Sequence, residues 1–450
     1  MHRNVLRLVD EIGLQVENDA LLNRLAEFGA RVDRTKQRVA LSPAQAEEFI
    51  ASSEPVLWTE GDLGVHGGVE VYYGQYLDPR TDQYVPMTVE RVEEYFRVAR
   101  TMPHVEQTLI LGCPLQGIPP ALEPLYERYW CWRLGARPGG SVHQLRLCPY
   151  IVEMCEAHAA AVGHSLQQVF NAGVYLVPAL KLGYQEAAQV AWFLDRGLRV
   201  SIGASMATGG ASAPVTLAGM VSISLAEHLL LGLLNRALFG DRTWAIGMSV
   251  TAMDPRTMMR PYGRPDMVIA NLMSAQMARR YHADFGGHCG LTDAMRPSPQ
   301  AAAHKMQSAL PTLLARGKIG FPMGLLAIDE VFSPVQIVLD NQLVSALEQF
   351  TRAYEISDEA IAADLVAAVG PGGSFAAELH TAHWFRREMW EPTVWERRPF
   401  AAWRENDGRT DAERAREQVL DILATEPLPS AFSEEEDRTL QGIMQKALAL

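Results

Sequence analysis

The stretch SIGASMATGGASAPVTLAGMVSISLAEHLLLGLLNRALFGDRTW, residues 201–244, decides the predicted fold class of this chain. A β-type run at 199–202 is followed by a turn of small residues at 209–214 and by a long apolar helix at 215–238. A strand, a glycine-rich turn and a helix in this order form the βα unit of an α/β protein. The sequence therefore predicts an α/β fold with this unit near its centre.

The apolar helix has a second interpretation, because about 24 residues are enough to cross a membrane. Glu227, His228 and Asn235 lie inside the apolar run. Such polar groups are costly in lipid and are satisfied more easily by neighbouring protein. We therefore expect a buried helix that packs against the strands of a barrel.

Composition narrows the functional class. The chain has 450 residues, 48% of them hydrophobic, with a net charge of -13 and a pI of about 5.5. This charge excludes the basic footprint of a nucleic-acid-binding protein, and an anionic membrane surface would repel it. We expect no signal peptide, because the N-terminus lacks an apolar core of the required length.

The cysteines indicate a reducing compartment. Scattered thiols without a CxxC pair are typical of reduced cytosolic proteins rather than of a disulfide framework or a zinc site. The five cysteines are Cys113, Cys131, Cys148, Cys155 and Cys289. We therefore predict a cytoplasmic protein that binds neither nucleic acid nor membrane.

Three regions are predicted along the chain. Residues 1–103 combine amphipathic helices with strand candidates at 56–59, 69–73 and 83–85, and form an N-terminal α+β cap. Residues 104–400 alternate strands with helices, which is the signature of a (β/α)8 TIM barrel. Residues 401–450 are charged and form a C-terminal helical extension. An open doubly wound sheet is the alternative, but no GxGxxG motif follows the first strand.

The predicted barrel strands locate the candidate site. In a TIM barrel the active site lies at the carboxyl ends of the strands, so the residues that follow each strand are the candidates. The predicted strands are Val105–Cys113, Ser141–Leu145, Val169–Leu176, Arg199–Ala204, Thr243–Met248, Ala283–Gly287, Ile319–Leu325 and Val366–Gly370.

Aromatic side chains are dense in the regions that would form the site. An aromatic box holds a quaternary ammonium group by cation–π attraction. Ordinary core packing is the alternative for each ring. The set comprises Tyr72, Tyr73, Tyr262, Phe285, Phe321, Phe332, Phe375, Trp384, Trp390 and Trp395.

A GPGGSF turn at 370–375 precedes His380 and His383. A glycine-rich turn before a helix can hold an anion, although it is also an ordinary tight turn. Two histidines three residues apart can share a helix face, but no further metal-ligand pattern accompanies them. We therefore expect His380 to be structural or to contact substrate, and we predict no metal site.

The segment MDPRT at 253–257 follows the fifth predicted strand. Asp254 and Arg256 could orient a substrate carboxylate or could pair with each other, and the sequence leaves both interpretations open. Composition and spacing thus indicate a barrel enzyme that takes a small cationic or zwitterionic ligand.

Six blocks of the chain resemble, in order, blocks of the trimethylamine methyltransferase family. The resemblance is to corrinoid-dependent members without pyrrolysine that act on glycine betaine and similar compounds, and it covers nearly the whole chain. The blocks are EIGLQVENDALLNRLAEFGARVD (11–33), GGASAPVTLAG (209–219), AMDPRTMMRPYGRPD (252–266), GGHCGLTDAMRPSPQAA (286–302), FSPVQIVLD (332–340) and VGPGGSFAAELHTAHWFRREMWEP (369–392).

This resemblance implies a TIM-barrel methyltransferase that moves a methyl group from a methylated amine to Co(I) of a separate corrinoid protein. The corrinoid (cobalamin) would be carried by that partner protein, with none bound tightly by this chain. The cofactor supplies the difficult chemistry, so the enzyme mainly binds, orients and excludes water. A quaternary ammonium leaves as a neutral amine, which explains why no acid–base pair is evident. A homo-oligomer is also expected.

The chain departs from the family pattern in two respects. It contains only standard residues, whereas trimethylamine enzymes of the family carry pyrrolysine, so a quaternary amine such as a betaine is the expected substrate. Ala294 and Met295 stand where relatives show a small polar residue and Lys, and Asp329 and Glu330 replace Ser-Gly-type residues. We hypothesise that two added carboxylates favour a ligand with more positive charge and fewer anionic groups.

The predicted site combines these features. The predicted catalytic residues are His380 and Arg256, and the predicted cofactor-binding residues are Gly209, Gly210, Gly287 and Asp293. The predicted substrate-binding residues are Tyr72, Tyr73, His143, Asn171, Tyr262, Glu330 and Phe375. Two alternatives remain open: a metal-dependent barrel hydrolase that uses His380 and His383, and a non-catalytic protein that binds methylated amines.

Overall fold

The computed structural model describes residues 1–56, 64–112, 115–248, 250–316, 318–406 and 408–449. Within these ranges the helices are α1 His2–Glu11, α2 Asp19–Glu27, α3 Pro43–Ala51, α4 Val89–Arg100, α5 Glu123–Arg133, α6 Cys148–Val162, α7 Leu166–Val169, α8 Tyr184–Leu194, α9 Leu217–Phe239, α10 Pro265–Arg280, α11 Pro299–Arg316, α12 Pro334–Glu348, α13 Asp358–Ile361, α14 Ala363–Val369, α15 Leu379–Glu388, α16 Phe400–Asn406, α17 Asp411–Leu423 and α18 Glu434–Leu448.

The strands within the same ranges are short. They are β1 Leu14–Val16, β2 Arg31–Asp33, β3 Arg38–Ala40, β4 Gly64–Val71, β5 Gln75–Leu77, β6 Tyr84–Pro86, β7 Val105–Ile110, β8 Arg137–Pro138, β9 Gly173–Tyr175, β10 Lys181–Leu182, β11 Ser201–Gly203, β12 Thr208–Gly209, β13 Ala245–Met248, β14 Thr251–Ala252, β15 Asp284–Gly287, β16 Lys318–Met323, β17 Leu325–Leu326 and β18 Val331–Phe332.

Parallel strands form the centre of the molecule. β4 pairs with β7 on one side and with β16 on the other, and β7 also pairs with β8. β9 pairs with β11, and β13 pairs with β15. These pairings are all parallel and fall into three groups, so the described residues show no continuous closed barrel. The predicted α/β class with parallel sheets is confirmed.

Two predicted strands are wrong. Residues 366–369 belong to helix α14, whose Ala-rich sequence favours a helix that ends at Gly370. The second predicted strand at 141–145 is not a strand: β8 lies just before it, and a 3-10 turn begins at Leu145. The candidate at 56–59 lies outside the described residues except for Val56. The local sequence pattern gave wrong strand predictions because the formation of a short strand depends on pairing with residues distant in sequence.

The pairing partners of β4 differ from the prediction. A strand at 69–73 was predicted as part of the cap, but β4 joins the central strands β7 and β16. Its partner β16 is about 250 residues away in sequence, and no local periodicity reports such a pairing. The N-terminal region has a different sheet, which was not predicted: β2, β3 and β1 are antiparallel neighbours, and β10 pairs parallel to β1.

Helix α9 confirms the prediction of a buried apolar helix. Thr216 caps it by accepting a hydrogen bond from the Gly219 N–H, and Gly240 ends it with a left-handed φ of 75°. By length and composition alone α9 could cross a membrane, but 72% of its most apolar window is buried inside the protein. It packs against α1, α2, α10 and β13.

The polar residues of α9 anchor its neighbours. The Glu227 carboxylate, 2% exposed, accepts hydrogen bonds from the Ser205 N–H (2.6 Å), the Ser205 hydroxyl (2.8 Å) and the Leu180 N–H (2.9 Å). His228 lies 2.9 Å from the Gly247 carbonyl through its Nε2. The charge inside the helix thus joins the loops that follow β9 and β11 to the helix that covers them.

The C-terminal helices cover the outer helices of the core. α17 packs on α12 and α4, and α18 packs on α6. Between α12 and α17, the segment 350–400 exposes large apolar side chains: Phe350, Tyr354, Ile356, Ile361, Val366, Phe375, Leu379, Phe385, Met389 and Phe400. Four cysteines, Cys131, Cys148, Cys155 and Cys289, are buried free thiols, and Cys113 lies outside the described residues.

Candidate functional site

The central strands carry small residues on one face. On β13 and β15, Ile246 and Phe285 are buried, whereas the alternate residues Ala245, Gly247 and Gly286 are exposed to solvent. β16 repeats the pattern, and a Cβ placed on its exposed Gly320 would meet no described atom within 4 Å. Helices cover the apolar face, so the opposite face looks onto an open space rather than a packed core.

A cavity of ≈ 550 Å³ lies at the carboxyl ends of β4, β7, β8, β9 and β11. Tyr175 at the end of β9 exposes 68% of its surface there. Gly203 on the paired strand is required beside it, because a Cβ would lie 2.5 Å from the Tyr175 ring. The cavity is lined by Tyr72, Leu111, Gly112, Gly139, Gly140, Ser141, Val142, His143, Asn171, Gly173, Val174, Tyr175, Glu186, Gln189, Ser201 and Gly203.

A buried carboxylate on α5 shapes one wall of this cavity. Glu127, fully buried, accepts hydrogen bonds from the N–H groups of Gly112 (2.7 Å), Gly140 (2.6 Å) and Ser141 (3.2 Å). The next residue, Arg128, donates to the carbonyls of Ser141 and Asn171 and to that of Pro124. Glu127 and Arg128 together therefore fix the backbone after β7, the backbone after β8 and the segment that precedes β9.

Glu70 near the end of β4 is the first acidic group of the site. The Tyr72 hydroxyl, which lies at the cavity wall, donates a hydrogen bond to its carboxylate. Burial, together with the nearby Asp329 charge, raises the pKa of Glu70 from 4.5 to about 7. A carboxyl group with such a pKa is poised between its neutral and charged forms at physiological pH.

Asp329, the second acidic group, is held in an unusual turn. Ala327, Ile328 and Asp329 have φ values of 52°, 56° and 67°, in the left-handed region that non-glycine residues avoid at a cost of roughly 1 kcal/mol or more each. The turn persists because the Ala327 and Ile328 N–H groups donate to the carbonyls of Ala294 (2.8 Å) and Thr292 (3.0 Å). Burial raises the pKa of Asp329 to about 6.

The loop before α10 brings Arg260 and Tyr262 to the same acidic group. Tyr262 is 6% exposed, and its hydroxyl hydrogen-bonds to Asp329, while the Arg260 charge lies close to that carboxylate. The Tyr262 ring meets the His288 ring edge-on at 5.2 Å. Burial and the Arg260 charge lower the pKa of His288 to about 4, so its imidazole is neutral at physiological pH.

A buried ion pair supports the strand next to Asp329. Lys305 Nζ lies 2.7 Å from the Asp340 carboxylate, and both side chains are inaccessible to solvent. Asp340 also accepts from the Gly324 N–H at 2.7 Å and from the Gln336 side chain at 2.8 Å. The pair thus fixes the end of β16, which leads directly into the turn that carries Asp329.

Several predicted residues come together in this region. Tyr72, His143 and Asn171 line the cavity, and Tyr262 contacts Asp329. The pKa of His143 is lowered by burial. Asn171 turns its side-chain amide to the Pro138 carbonyl at 2.7 Å, so it also holds the backbone after β8.

Other predicted substrate residues lie on the surface. Tyr73 and Glu330 are exposed, and Phe375 is 38% exposed in the segment between α14 and α15. Asp329, the neighbour of Glu330, is half-buried and hydrogen-bonds to Tyr262. The substrate-binding roles of Tyr73, Glu330 and Phe375 remain predictions.

The two predicted catalytic residues, Arg256 and His380, are not among the residues that line the cavity. Arg256 has an 87% exposed side chain and pairs with Asp254 at 3.2 Å, which is the arrangement that the sequence left open as an internal pair. The prediction for His380 depends on an eighth strand at 366–370, but residues 366–369 belong to helix α14. His380 lies on α15, 5.9 Å from the Trp384 ring, with its Nε2 buried and without a hydrogen-bond partner in the described part of the chain. Their catalytic roles remain predictions.

The predicted cofactor-binding residues lie in three separate places. Gly209 lies on β12 and Gly210 in the turn after it, with a left-handed φ of 85°. Gly287 faces α11, where a Cβ would lie 2.5 Å from Thr312. Asp293 accepts from the N–H groups of Tyr262 (2.6 Å) and Gly263 (2.9 Å), so its carboxylate holds a loop.

Sequence reasoning missed four residues of the site: Glu70, Glu127, Tyr175 and Arg260. Glu127 and Arg128 lie in an aromatic helix, ERYWCW, where burial of adjacent opposite charges was the available signal. Glu70 and Tyr175 gave no signal, because both are single residues at strand ends whose partners are distant in sequence. No cluster of three or more histidine, cysteine or acidic residues suited to a metal ion occurs among the residues described.

Parallel strands under helices, with a cavity at the strand ends, define the class of α/β enzymes that bind small ligands. The sequence model of the trimethylamine methyltransferase family (MTTB) matches residues 79–448. The chain belongs to this family, which confirms the predicted family and the predicted enzyme class of methyltransferase.

Two named relatives match nearly the whole chain, and a third matches about half of it. A trimethylamine methyltransferase MttB of Desulfitobacterium hafniense (strain DSM 10664 / DCB-2) is 24% identical, over 99% of this chain and 92% of the relative. A glycine betaine methyltransferase of Desulfitobacterium hafniense (strain Y51) is 28% identical, over 99% and 94%. Trimethylamine methyltransferase MttB1 of Methanosarcina mazei is 28% identical over 49% of this chain and 44% of its own.

Proposed function

We propose that this methyltransferase takes a methyl group from a quaternary or tertiary methylated amine and passes it to Co(I) of a corrinoid protein. The observation that carries the proposal is the pairing of two half-buried carboxyl groups, Glu70 and Asp329, with the hydroxyls of Tyr72 and Tyr262, beside the exposed ring of Tyr175 at the cavity. Carboxylates and electron-rich rings together attract a methylated ammonium ion.

The chain's own residues perform binding and orientation in this reaction. The acceptor, when bound, supplies a two-electron Co(I) nucleophile that takes the methyl group, and the amine leaves with the electron pair of its C–N bond. The aromatic walls hold the N-methyl groups, and the acidic groups stabilise the cation until its charge is lost. Since a quaternary amine leaves in neutral form, none of these residues has to donate a proton.

The surroundings of the cavity are compatible with a flat macrocycle presented by a partner protein. The loops after β11, β12 and β14 expose apolar side chains, Met206, Val215, Met258 and Met259. Gly210 leaves space beside two of these loops, since a Cβ there would meet only Met253 and Val215, each at 4.0 Å. We propose this face, which includes the predicted cofactor residues Gly209 and Gly210, as the place where the corrinoid approaches.

We also propose that the central strands close into a (β/α)8 TIM barrel. β16 lies beside β4, so the eighth strand would meet the first, and β15 contacts β16. The Gly173 N–H donates to the Gly140 carbonyl at 2.8 Å and bridges the gap after β8. In this arrangement the barrel begins at β4, and the N-terminal cap ends before it. An experimental structure with β11 and β13 at the two edges of an open sheet would contradict the barrel.

Two further predictions about the whole protein remain proposals. We propose a cytoplasmic location, supported by the four buried free thiols. We propose a homo-oligomer in which the apolar side chains of the segment 350–400 are covered by a second copy, since large exposed apolar patches mark interaction sites. Light scattering on the purified chain and on a Leu379→Asp variant tests this; a monomeric wild-type protein would contradict it.

Proton NMR tests the methyl transfer itself. The purified chain is mixed with trimethylamine, glycine betaine or choline and with a corrinoid protein reduced to Co(I), or with free Co(I) cobalamin. We expect loss of one N-methyl signal from at least one amine, and a large loss of rate in Tyr72→Ala. Binding without methyl loss for every amine would favour the alternative of a non-catalytic binding protein.

A further inference from the structure

We propose that Asp329 is a built-in carboxylate that takes the place of a substrate carboxylate, so that the site selects methylated ammonium cations and rejects zwitterionic betaines. This inference rests on the proposed function and names the substrate class of the same site. It goes beyond the count of acidic residues in the sequence, because Asp329 hydrogen-bonds to Tyr262 and interacts with Glu70, whereas Glu330 is exposed.

The backbone around Asp329 is held in a strained conformation by hydrogen bonds. Its left-handed turn carries a β-branched residue, Ile328, in a conformation that such residues rarely adopt, and strained backbone persists where the surrounding structure demands it. The chain on either side is tied to the rim: the Gln75 N–H donates to the Glu330 carbonyl at 2.8 Å. Tyr72 and Phe332 face each other across this junction, with ring centroids 6.4 Å apart.

The charges around Asp329 leave little room for another carboxylate. Arg260 is the cation on the adjacent loop, and a substrate carboxylate would seek it, but Asp329 already lies beside it. Lys305 is also near but is paired with Asp340 at 2.7 Å. The titratable and charged groups that face the two acids are Tyr72, Tyr95, Tyr175, Arg260, Tyr262 and Lys305.

The charge balance fits a ligand with one positive charge. When Glu70 and Asp329 are both ionised, they exceed the Arg260 charge by one negative charge, and Glu186 on the cavity wall is also acidic, so the ligand neutralises negative charge. A betaine would bring a third carboxylate to one guanidinium, in a site where burial already opposes the second. An ammonium cation without a carboxylate satisfies the site instead.

Binding should therefore release a proton. The raised pKa values of Glu70 (about 7) and Asp329 (about 6) mean that the pair is partly protonated near neutral pH, whereas a bound cation favours the ionised form. We expect the affinity for a cation to rise about ten-fold between pH 6 and pH 8. The proton release itself is visible as a dependence of the binding heat on the ionisation enthalpy of the buffer.

Isothermal titration calorimetry with choline and glycine betaine tests the inference, because these two trimethylammonium compounds differ by an alcohol and a carboxylate. We expect wild-type protein to bind choline at least ten-fold more tightly than glycine betaine at pH 8. Asp329→Asn should weaken choline binding about ten-fold and strengthen glycine betaine binding, since the variant removes a negative charge that repels the carboxylate of the ligand. Asparagine also tolerates the left-handed conformation, so the variant should keep its fold.

The matched control is Glu27→Gln on the exposed surface of α2, which should leave both affinities unchanged. Glycine betaine binding as tight as choline binding in the wild type, or no gain for glycine betaine in Asp329→Asn, overturns the inference and leaves methyl transfer standing. Binding of neither compound, with no methyl loss from any amine tested, overturns the proposed function as well.

Discussion

Replacing Glu70 by glutamine should stabilise the protein in a way that depends on pH. In the unfolded chain this carboxyl group titrates near 4.5, whereas in the folded protein burial raises its pKa to about 7. The folded state therefore holds a proton that the unfolded state has released, and the wild type loses stability as the pH rises from about 4.5 to 7. Glutamine carries no such charge and escapes this loss.

The expected size follows from the same pKa difference. A rise from 4.5 to about 7 is worth about 3 kcal/mol, an upper bound because Asp329 titrates with Glu70. Urea unfolding at pH 4.5 and pH 8, with circular dichroism as the signal, measures it. We expect Glu70→Gln to match the wild type within about 1 kcal/mol at pH 4.5 and to exceed it by about 2–3 kcal/mol at pH 8.

The control and the functional readout make the test specific. Glu27→Gln, on the exposed face of α2, should show the wild-type pH dependence. Glu70→Gln should at the same time bind choline less tightly, because it loses charge that the cation requires. An unchanged pH dependence in Glu70→Gln would refute the claim that burial holds this carboxyl group near neutrality, whatever its effect on binding.

Three further predictions concern the support of the site. Glu227→Ala leaves two backbone N–H groups without their acceptor and should cost about 3 kcal/mol in urea unfolding, with Glu227→Gln costing less; equal stability of all three proteins would contradict the role of this carboxylate. Lys305→Met alone should cost about 3–5 kcal/mol, whereas Lys305→Met combined with Asp340→Leu should recover part of that loss in a double-mutant cycle, and simple additivity would refute the coupling. Gly320→Ala should leave the melting temperature unchanged because the space beside it is open, whereas Gly320→Leu should reduce choline binding measured by calorimetry; tight binding in the leucine variant would place the ligand elsewhere.

Local chemistry in the sequence predicted much of the fold. The α9 unit and its end at Gly240 follow from an apolar run and from helix capping, which are local in sequence. The helix begins at Leu217 after a Thr216 cap, two residues later than the predicted start at 215. The same reasoning failed for β4, since its partners on β7 and β16 are reached only through tertiary structure. It also failed at 366–370, where the short apolar run Val-Ala-Ala-Val suits a helix as well as a strand.

The site was harder to predict than the fold. Tyr72, His143 and Asn171 were found because they follow strands or strand-like runs, and strand ends converge. Glu70 could not be found, because its raised pKa arises from burial and from Asp329, which is more than 250 residues further along the chain. Arg256 illustrates the opposite error: an Asp-Pro-Arg motif has the composition of a binding loop, but its arginine satisfies the aspartate two residues before it.

The loops around the cavity are tethered through their main chain. Glu127, Glu227, Asp293 and Asp340 each grip peptide N–H groups, and a peptide N–H is the same whichever non-proline residue carries it. Because the anchoring bonds are made to the main chain, the conformation of the loops around the cavity depends little on the side chains that these loops carry. Side chains at tethered positions such as Ser141 and Ser205 can change during evolution without loosening the loops. Gly140 and Gly324 stay glycine, because their φ values of 91° and 82° are left-handed. Such a frame would allow one scaffold to acquire new methyl donors by a few exchanges.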